Sequence, residues 1–252
     1  MNWVVSRKKE VRLNSPVLIE GLPGIGNVGK VAVDYLAEQL KAKKLINFSS
    51  NYMPHSVFVN ENNLVEMPSI DILHASTKKG EFLFLVGDTQ PIDEPSCYEF
   101  TKKLLDELVD MGCTEIITLG GIGLPSAPKK PKIYITGNDK KIVKRYMDGL
   151  PLQHKIYGLV GPIVGVTGLL VGMAKPRNIP AVALLAETFG HPMYLGLRGS
   201  KELLKVLDKR YGFKVNFKTL DNDIKEIESE MSDALPKRFK RLGMSKDVSY
   251  IG

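Results

Sequence analysis

The stretch Glu20-Gly21-Leu22-Pro23-Gly24-Ile25-Gly26-Asn27-Val28-Gly29-Lys30 restricts the fold more than any other part of the chain. It joins a short apolar run, residues 17–20, to an amphipathic one, residues 28–40. In the second run Val28, Val31, Ala32, Tyr35, Leu36 and Leu40 share a stripe, the signature of a helix with one buried face. Strand, glycine-rich turn and helix, in that order, open an α/β unit. The loop also imitates two nucleotide-binding motifs and completes neither. Gly24, Gly26 and Gly29 have the G-x-G-x-x-G spacing of a dinucleotide loop, while Gly24, Gly29 and Lys30 have that of a P-loop. Val31 follows Lys30, where a P-loop places Ser or Thr on magnesium. A dinucleotide site calls for an acid about 20 residues on, and after the next apolar run the chain reads Ser49-Ser50-Asn51. The loop thus specifies a fold more firmly than a ligand.

Apolar runs and amphipathic runs alternate along the rest of the chain. Strands are predicted over residues 45–48, 57–60, 64–67, 70–75, 81–87, 115–119, 132–136 and 181–186. Helices are predicted over 96–111, capped by Ser96 and stopped by Gly112, and over 139–147, 163–175 and 200–211. A last helix over 220–242 is acidic first and basic afterwards, with Pro236 as a kink. Such alternation packs helices on both faces of a mainly parallel sheet. The strand runs between residues 57 and 75 pair antiparallel and make the sheet mixed. The expected organisation is an α/β core over 1–219, a helical extension over 220–242 and a loose tail over 243–252.

Bulk composition narrows the class. At 43% hydrophobic and 25% charged residues, the 252-residue chain reads as a soluble globule. The formal charge of +7 is scattered along the sequence rather than clustered, which argues against a nucleic-acid partner. Cys97 and Cys113 are too few for a disulfide scaffold and lack metal-ligand spacing, so a reducing cytoplasm and two buried or inert thiols are expected. The first residues, Met1 to Lys9, contain no apolar stretch of the kind that directs secretion. Residues 156–174 carry no charge and are long enough to span a membrane, but Gly158, Gly161 and Pro162 break the run. A glycine-rich helix buried against a sheet has the same composition.

In an open α/β sheet ligands bind beyond the carboxyl ends of the strands. Four strand ends carry glycine or polar residues: Gly21 to Gly29, Gly87 to Gln90, Gly120 to Gly123, and Glu187 to Pro192. Were these loops to meet, Asp88, Glu187 and His191 would be available for acid–base work. The backbone amides around Gly24, Gly26 and Gly29, with Lys30, would hold an anion at a helix N-terminus. The simpler alternative is that the glycines serve tight turns and close helix–sheet approach. His55, His74, His154 and His191 have no zinc-binding spacing, and no nucleophile motif is present, so no metal and no cofactor is expected.

Several blocks together resemble the proteasome assembly chaperone 2 family in its archaeal branch. They are Glu20 to Gly29, Val86-Gly87-Asp88-Thr89-Gln90-Pro91, Thr118-Leu119-Gly120-Gly121-Ile122, Gly165 to Leu170, and Ala183-Leu184-Leu185-Ala186-Glu187-Thr188-Phe189-Gly190-His191. They follow the family's order and cover residues 17–213. The resemblance implies a three-layer α/β/α sandwich similar to the nucleoside phosphorylase fold. It also implies a non-enzymatic homo-oligomer that docks on the α subunits of the proteasome core particle, as an assembly chaperone or ATP-independent activator. Such members dock through a C-terminal hydrophobic–Tyr–any motif. Here the tail reads Val248-Ser249-Tyr250-Ile251-Gly252 and departs from that motif, with Tyr250 third from the end rather than second and Ser249 before it; Tyr250, Ile251 and Gly252 are the expected partner-binding residues. His191 is followed by Pro192-Met193 where the family often has an Asp-Pro pair. The alternative function is an ATP-grasp-like or nucleoside phosphorylase-like enzyme acting on a phosphorylated or nucleoside substrate.

Overall fold

The computed structural model describes residues 3–8, 13–91, 93–156, 158, 161–191, 194–222 and 224–226. The first strand, β1 (Val4–Arg7), was not expected from the sequence; β2 (Val17–Glu20) then enters the glycine loop. A single 3-10 turn (Ile25–Asn27) precedes α1 (Val28–Gln39). Next come β3 (Lys43–Ser49), a small ribbon of β4 (Phe58–Val59) and β5 (Val65–Glu66), and the hairpin of β6 (Ile70–Thr77) and β7 (Gly80–Gly87). They are followed by α2 (Glu94–Asp110), β8 (Glu115–Leu124), β9 (Ile133–Gly137), α3 (Lys140–Met147) and the two-residue β10 (Leu152–Gln153). The series ends with α4 (Val166–Ala174), β11 (Ala181–Phe189) and α5 (Leu197–Tyr211).

Among the described residues one sheet of nine strands runs in the order β1-β3-β6-β7-β2-β8-β11-β9-β10. Its centre, β7-β2-β8-β11, is parallel. Antiparallel pairing of β6 with β7, β3 with β6 and β1 with β3 builds one wing; of the runs between residues 57 and 75 expected to make the sheet mixed, only 70–75 joins it. On the other side β9 is antiparallel to β11, and β10 is parallel to β9. The pair β4–β5 stands apart from this sheet.

Helices cover both faces. On one, α1 packs on α5; on the other, α2 packs on α4. Strand alternation divides the buried side chains between the two layers. Leu18, Leu83, Leu85, Ile116, Ala183 and Leu185 join Phe100, Leu104 and Leu170 in the α2–α4 layer. Their sequence neighbours Ile19, Phe82, Phe84, Ile117, Val182 and Leu184 are equally buried and face the other way. Strands buried on both faces require these near-continuous apolar runs. Edge-on stacking of Phe48 on Phe100, with Trp3 4.7 Å from Phe100, fastens β3 and the start of β1 to α2.

Beneath the far layer lies a polar pin. Glu115, at the start of β8, forms an ion pair with Arg145 and accepts hydrogen bonds from the hydroxyls of Tyr146 and Tyr211, the latter at 2.8 Å. Arg210 sits 4.2 Å over the Tyr146 ring. Burial, reinforced by the neighbouring Tyr and Glu, raises both tyrosines above the ordinary phenol range. The cluster ties α3 and α5 to the sheet with its buried carboxylate paired.

Several boundaries differ from expectation. Helix α2 begins at Glu94, not Ser96: Asp93 is the cap, accepting from Ser96 N–H at 2.7 Å, while Ser96 Oγ accepts from Asp93 N–H at 3.2 Å. Ser96 is thus the third helical residue of a capping box. Gly112, with φ +70°, ends the helix as expected. Strand β8 runs through Gly120, Gly121 and Gly123, which the sequence reading had placed in a loop, because β11 pairs with it as far as Phe189 opposite Leu124. Helix α4 starts three residues later than expected, after Gly165 turns the chain at φ +81°. No helix among the described residues is long and apolar enough to cross a membrane.

The chain divides into two units, Met1–Val215 and Asn216–Gly252. In the second, residues 217–222 and 224–226 are helical, and Asn216 Oδ1 accepts from Thr219 N–H at 3.2 Å to start the turn. Most of the expected extension over 220–242, with Pro236, and the whole tail over 243–252 lie outside the described residues.

Candidate functional site

The glycine loop determines what the carboxyl end of the sheet can do. Gly29 lies so close to β8 that a Cβ there would stand 2.3 Å from the Leu119 carbonyl oxygen. Gly121 returns the contact: its Cβ would stand 2.2 Å from the Ile25 carbonyl oxygen. Gly26 takes a left-handed φ of +63° against Thr188, and its carbonyl accepts from Gly196 N–H at 2.8 Å. These glycines are spent on backbone-to-backbone packing of the loop and α1 onto β8 and β11. Gly24 alone of the motif faces open space. Lys30 points along its own helix, with Nζ 2.8 Å from Asp34 Oδ2. The structure therefore brings Gly26 and Gly29 to the sheet and leaves Lys30 outside any cradle they form.

Asp88, Glu187 and His191 do not converge. Asp88, past the end of β7, accepts from Ser69 N–H at 3.2 Å and from Ser69 Oγ at 3.4 Å. Glu187, on β11, accepts from Lys132 N–H at 2.9 Å and from the Tyr134 hydroxyl at 3.2 Å. With β2 and β8 between them, β7 and β11 are about three strand spacings, or ~14 Å, apart. His191 stacks on Phe189, with ring centroids at 5.6 Å and planes at 19°. Each of the three fastens a local turn or strand end. Among the described residues no group of three or more His, Cys, Asp or Glu is placed to hold a metal ion. Burial pushes the Cys113 thiol up to about 11 and raises Cys97 as well, so neither is a ready thiolate.

The residues that organise this end of the sheet are ones the sequence reading did not single out. Glu20, the last residue of β2, is fully buried. Its Oε1 accepts from Leu22 N–H at 2.9 Å and from Thr167 Oγ1 at 3.3 Å, while Oε2 has no hydrogen-bond partner among the described residues. Burial raises its pKa from 4.5 to about 7, overriding the hydrogen bonds that favour the charged form. Gln90 is a clamp: its Nε2 donates to the Pro23 carbonyl and its Oε1 accepts from Val166 N–H at 3.0 Å. It thereby joins the glycine loop to the first turn of α4. Both residues lie within the blocks Glu20 to Gly29 and Val86 to Pro91, and an acid directly before a glycine loop at the end of an apolar strand was the available signal.

Between the glycine loop, the end of β8 and the segment before α4 lies an open cleft of about 990 Å³. Leu22, Ile25, Ile122 and Ile163 supply apolar wall, and Gln90, Asp93, Glu94, Tyr98 and Thr167 supply polar side chains. Asp93 is engaged as the cap of α2, and Lys30, Asp88, Glu187 and His191 are not among the lining residues.

Comparison with known proteins supplies the relatives. The model of the PAC2 family matches residues 18–235. An uncharacterized protein of Methanocaldococcus jannaschii is 26% identical over 99% of this chain and 98% of its own length. Among solved structures, Pyrococcus furiosus PbaB, an archaeal proteasome activator, is 28% identical and superposes with a TM-score of 0.84 over 92% of this chain and 98% of its own. Pyrococcus furiosus PbaA, an archaeal homolog of proteasome-assembly chaperone, shares the fold with a TM-score of 0.76 at 21% identity, over 94% of each chain.

Two predictions follow from the loop and its acid. Gly29→Ala is expected to destabilise the protein by about 3 kcal/mol or more, because its Cβ meets a backbone carbonyl that no rotamer can move. Gly24→Ala is expected to stay within about 0.5 kcal/mol of the parent; urea unfolding of the two variants compares them directly. For Glu20, the native state holds the proton more tightly than the unfolded chain. Its contribution to stability is complete below pH 4.5 and is lost as pH rises through about 7. Glu20→Gln should therefore gain up to roughly 3 kcal/mol over the parent above pH 7 and little below pH 4.5. An equal shift of the urea midpoint at both ends of that range would assign the titration to another group.

Proposed function

The chain belongs to the PAC2 family, and we propose that it is a non-enzymatic proteasome-assembly chaperone or ATP-independent activator that binds the α-ring of the core particle. The observation that carries this reading is the likeness to PbaB, which extends over nearly the whole of both chains. The reading agrees with the packing role of the glycine loop. A nucleotide- or nucleoside-directed enzyme would need Lys30 and the loop amides to face one anion, and Asp88, Glu187 and His191 to face one substrate. Lys30 is held by Asp34, and the three acid–base candidates are engaged in separate places.

In this proposal the body is a cytoplasmic homo-oligomer, and Tyr250, Ile251 and Gly252 are the residues that enter a pocket between adjacent α subunits. Several weak tails presented on one ring raise the overall affinity by about 10²–10⁴ without any new contact.

The test is co-sedimentation with purified proteasome core particles, comparing the full chain with one that ends at Asp247. The full chain should pellet with the particles, and the shortened chain should lose most of that binding. Equal binding by both would remove the tail from the mechanism, and binding by neither would remove the partner.

A further inference from the structure

The ribbon β4–β5 exposes an apolar face that a single chain leaves uncovered. Phe58 pairs with Glu66 and Val59 with Val65, so alternation puts Val57, Val59, Val65 and Met67 on one side. These four are 50%, 66%, 69% and 72% exposed. The ribbon has a defined shape: Asn60 Oδ1 accepts from the N–H groups of Asn62 and Leu64, both at 3.0 Å, and closes the turn. It makes no ladder with the nine-stranded sheet. Two-stranded ribbons are marginal in water unless one face packs on something, and an ordered apolar patch of this kind marks an interaction site.

Charge identifies the occupant. Residues 51–69 contain Glu61 and Glu66 and no Lys or Arg, in a chain of net charge +7. At the opposite edge of the sheet lies a groove of about 420 Å³ with Pro151 and Val206 among its apolar lining residues. Lys130, Lys132, Lys205 and Lys209 line it as well, and only Glu202, paired with Lys205 at 2.7 Å, offsets them. Glu61 lies in the turn, and Glu66, on the face opposite Val59 and Val65, accepts from Asn60 Nδ2 at 2.6 Å, so a ribbon inserted in the groove carries one acid at its tip and one on its far face toward the four lysines. The ribbon springs from β3 and β6, whereas the groove borders β9 and β10. From β6 to β9 is five strand spacings, or about 24 Å. The ribbon of one chain is thus remote from its own groove.

We propose that the β4–β5 ribbon of one copy docks in the lysine-rimmed groove of a second copy, so that the chain assembles head to tail. This deepens the homo-oligomer reading above and rests on it. A contact between two different surfaces propagates in one direction and closes into a ring when the rotation per step allows. The apolar side chains supply the contact area, and the acid–lysine pairs set its register.

The experiment uses full-length chain in a Cys97→Ser background, with Val65→Cys and Pro151→Cys made separately. Under mild oxidation a mixture of the two should give disulfide-linked dimer at about tenfold or more the yield of either alone, as a ribbon-in-groove contact requires. Linkage of Val65→Cys to itself would overturn the proposal by showing ribbon against ribbon, and no linkage in any sample would also overturn it. In parallel, native mass spectrometry reads Glu61→Lys with Glu66→Lys, Lys130→Glu with Lys132→Glu, and all four combined. Each pair should weaken assembly at least about fivefold, and the combination should restore it. A wild-type monomer at micromolar concentration would remove the homo-oligomer reading together with this one. An oligomer indifferent to every charge reversal would remove this one alone.

Discussion

The carboxyl end of the sheet depends on two reciprocal contacts without side chains: Gly29 against the Leu119 carbonyl, and Gly121 against the Ile25 carbonyl. Any Cβ at either position would collide with backbone, which cannot turn aside as a side chain can. Because the contacts are made, α1 lies directly on β8 and the 3-10 turn at Ile25–Asn27 is pressed onto β8 and β11. The same contacts account for the chemical outcome. A P-loop keeps its amides free to surround a phosphate and sends its lysine back over them. Here the loop folds onto the sheet, and Lys30 leaves along the helix to Asp34.

Polar residues hold together what the glycines bring close. Gln90 spans from the Pro23 carbonyl to Val166 N–H, so the β2 loop and the start of α4 are tied through one side chain. Glu20 lies beneath them, fully buried, and burial keeps it largely protonated up to about pH 7. A neutral carboxyl with hydrogen bonds to Leu22 and Thr167 is far less unfavourable in that position than an ionised one. The carboxylate of Glu115, at the opposite end of the neighbouring strand, is also buried, but Arg145 and two tyrosines surround it. Two buried acids on adjacent strands thus adopt opposite solutions: one is kept neutral, the other is paired.

The strand–loop–helix opening, the long apolar strands, the antiparallel wing and most helices were legible in the sequence because hydrophobic periodicity reports burial directly. Glycine misled where it had two meanings. Gly120, Gly121 and Gly123 read as a loop, yet they continue β8 opposite β11; neighbouring backbone occupies the space where side chains at Gly121 and Gly123 would lie, and the Leu185 side chain occupies that of Gly120. The start of α2 was misplaced because Ser96 is a member of the capping box without being its first residue, an order that only geometry ranks. β1 escaped notice because its four residues are mostly exposed and it is held by pairing with β3. Asp88, Glu187 and His191 stood out as polar residues at strand ends, where caps and catalytic groups look alike in sequence. Glu20 and Gln90 were hidden for a different reason: what distinguishes them is a contact with a segment many positions away.

The edges of the sheet limit how copies of this chain can meet. β10 is only two residues long and follows Pro151, which has no N–H to offer a ladder. β1 presents exposed Ser6 and Arg7 along a four-residue edge. Both ends are therefore poor templates for strand addition, and extending the sheet from one molecule into the next is disfavoured at either side. Association has to use side-chain surfaces. Exposed apolar side chains gather in two places: Val57, Val59, Leu64, Val65 and Met67 on the ribbon between β3 and β6, and Ile25, Tyr98 and Val164 at the cleft. The contact proposed between copies and the cleft thus fall on separate parts of the first unit, since neither the ribbon nor the lysine groove shares a residue with the cleft lining.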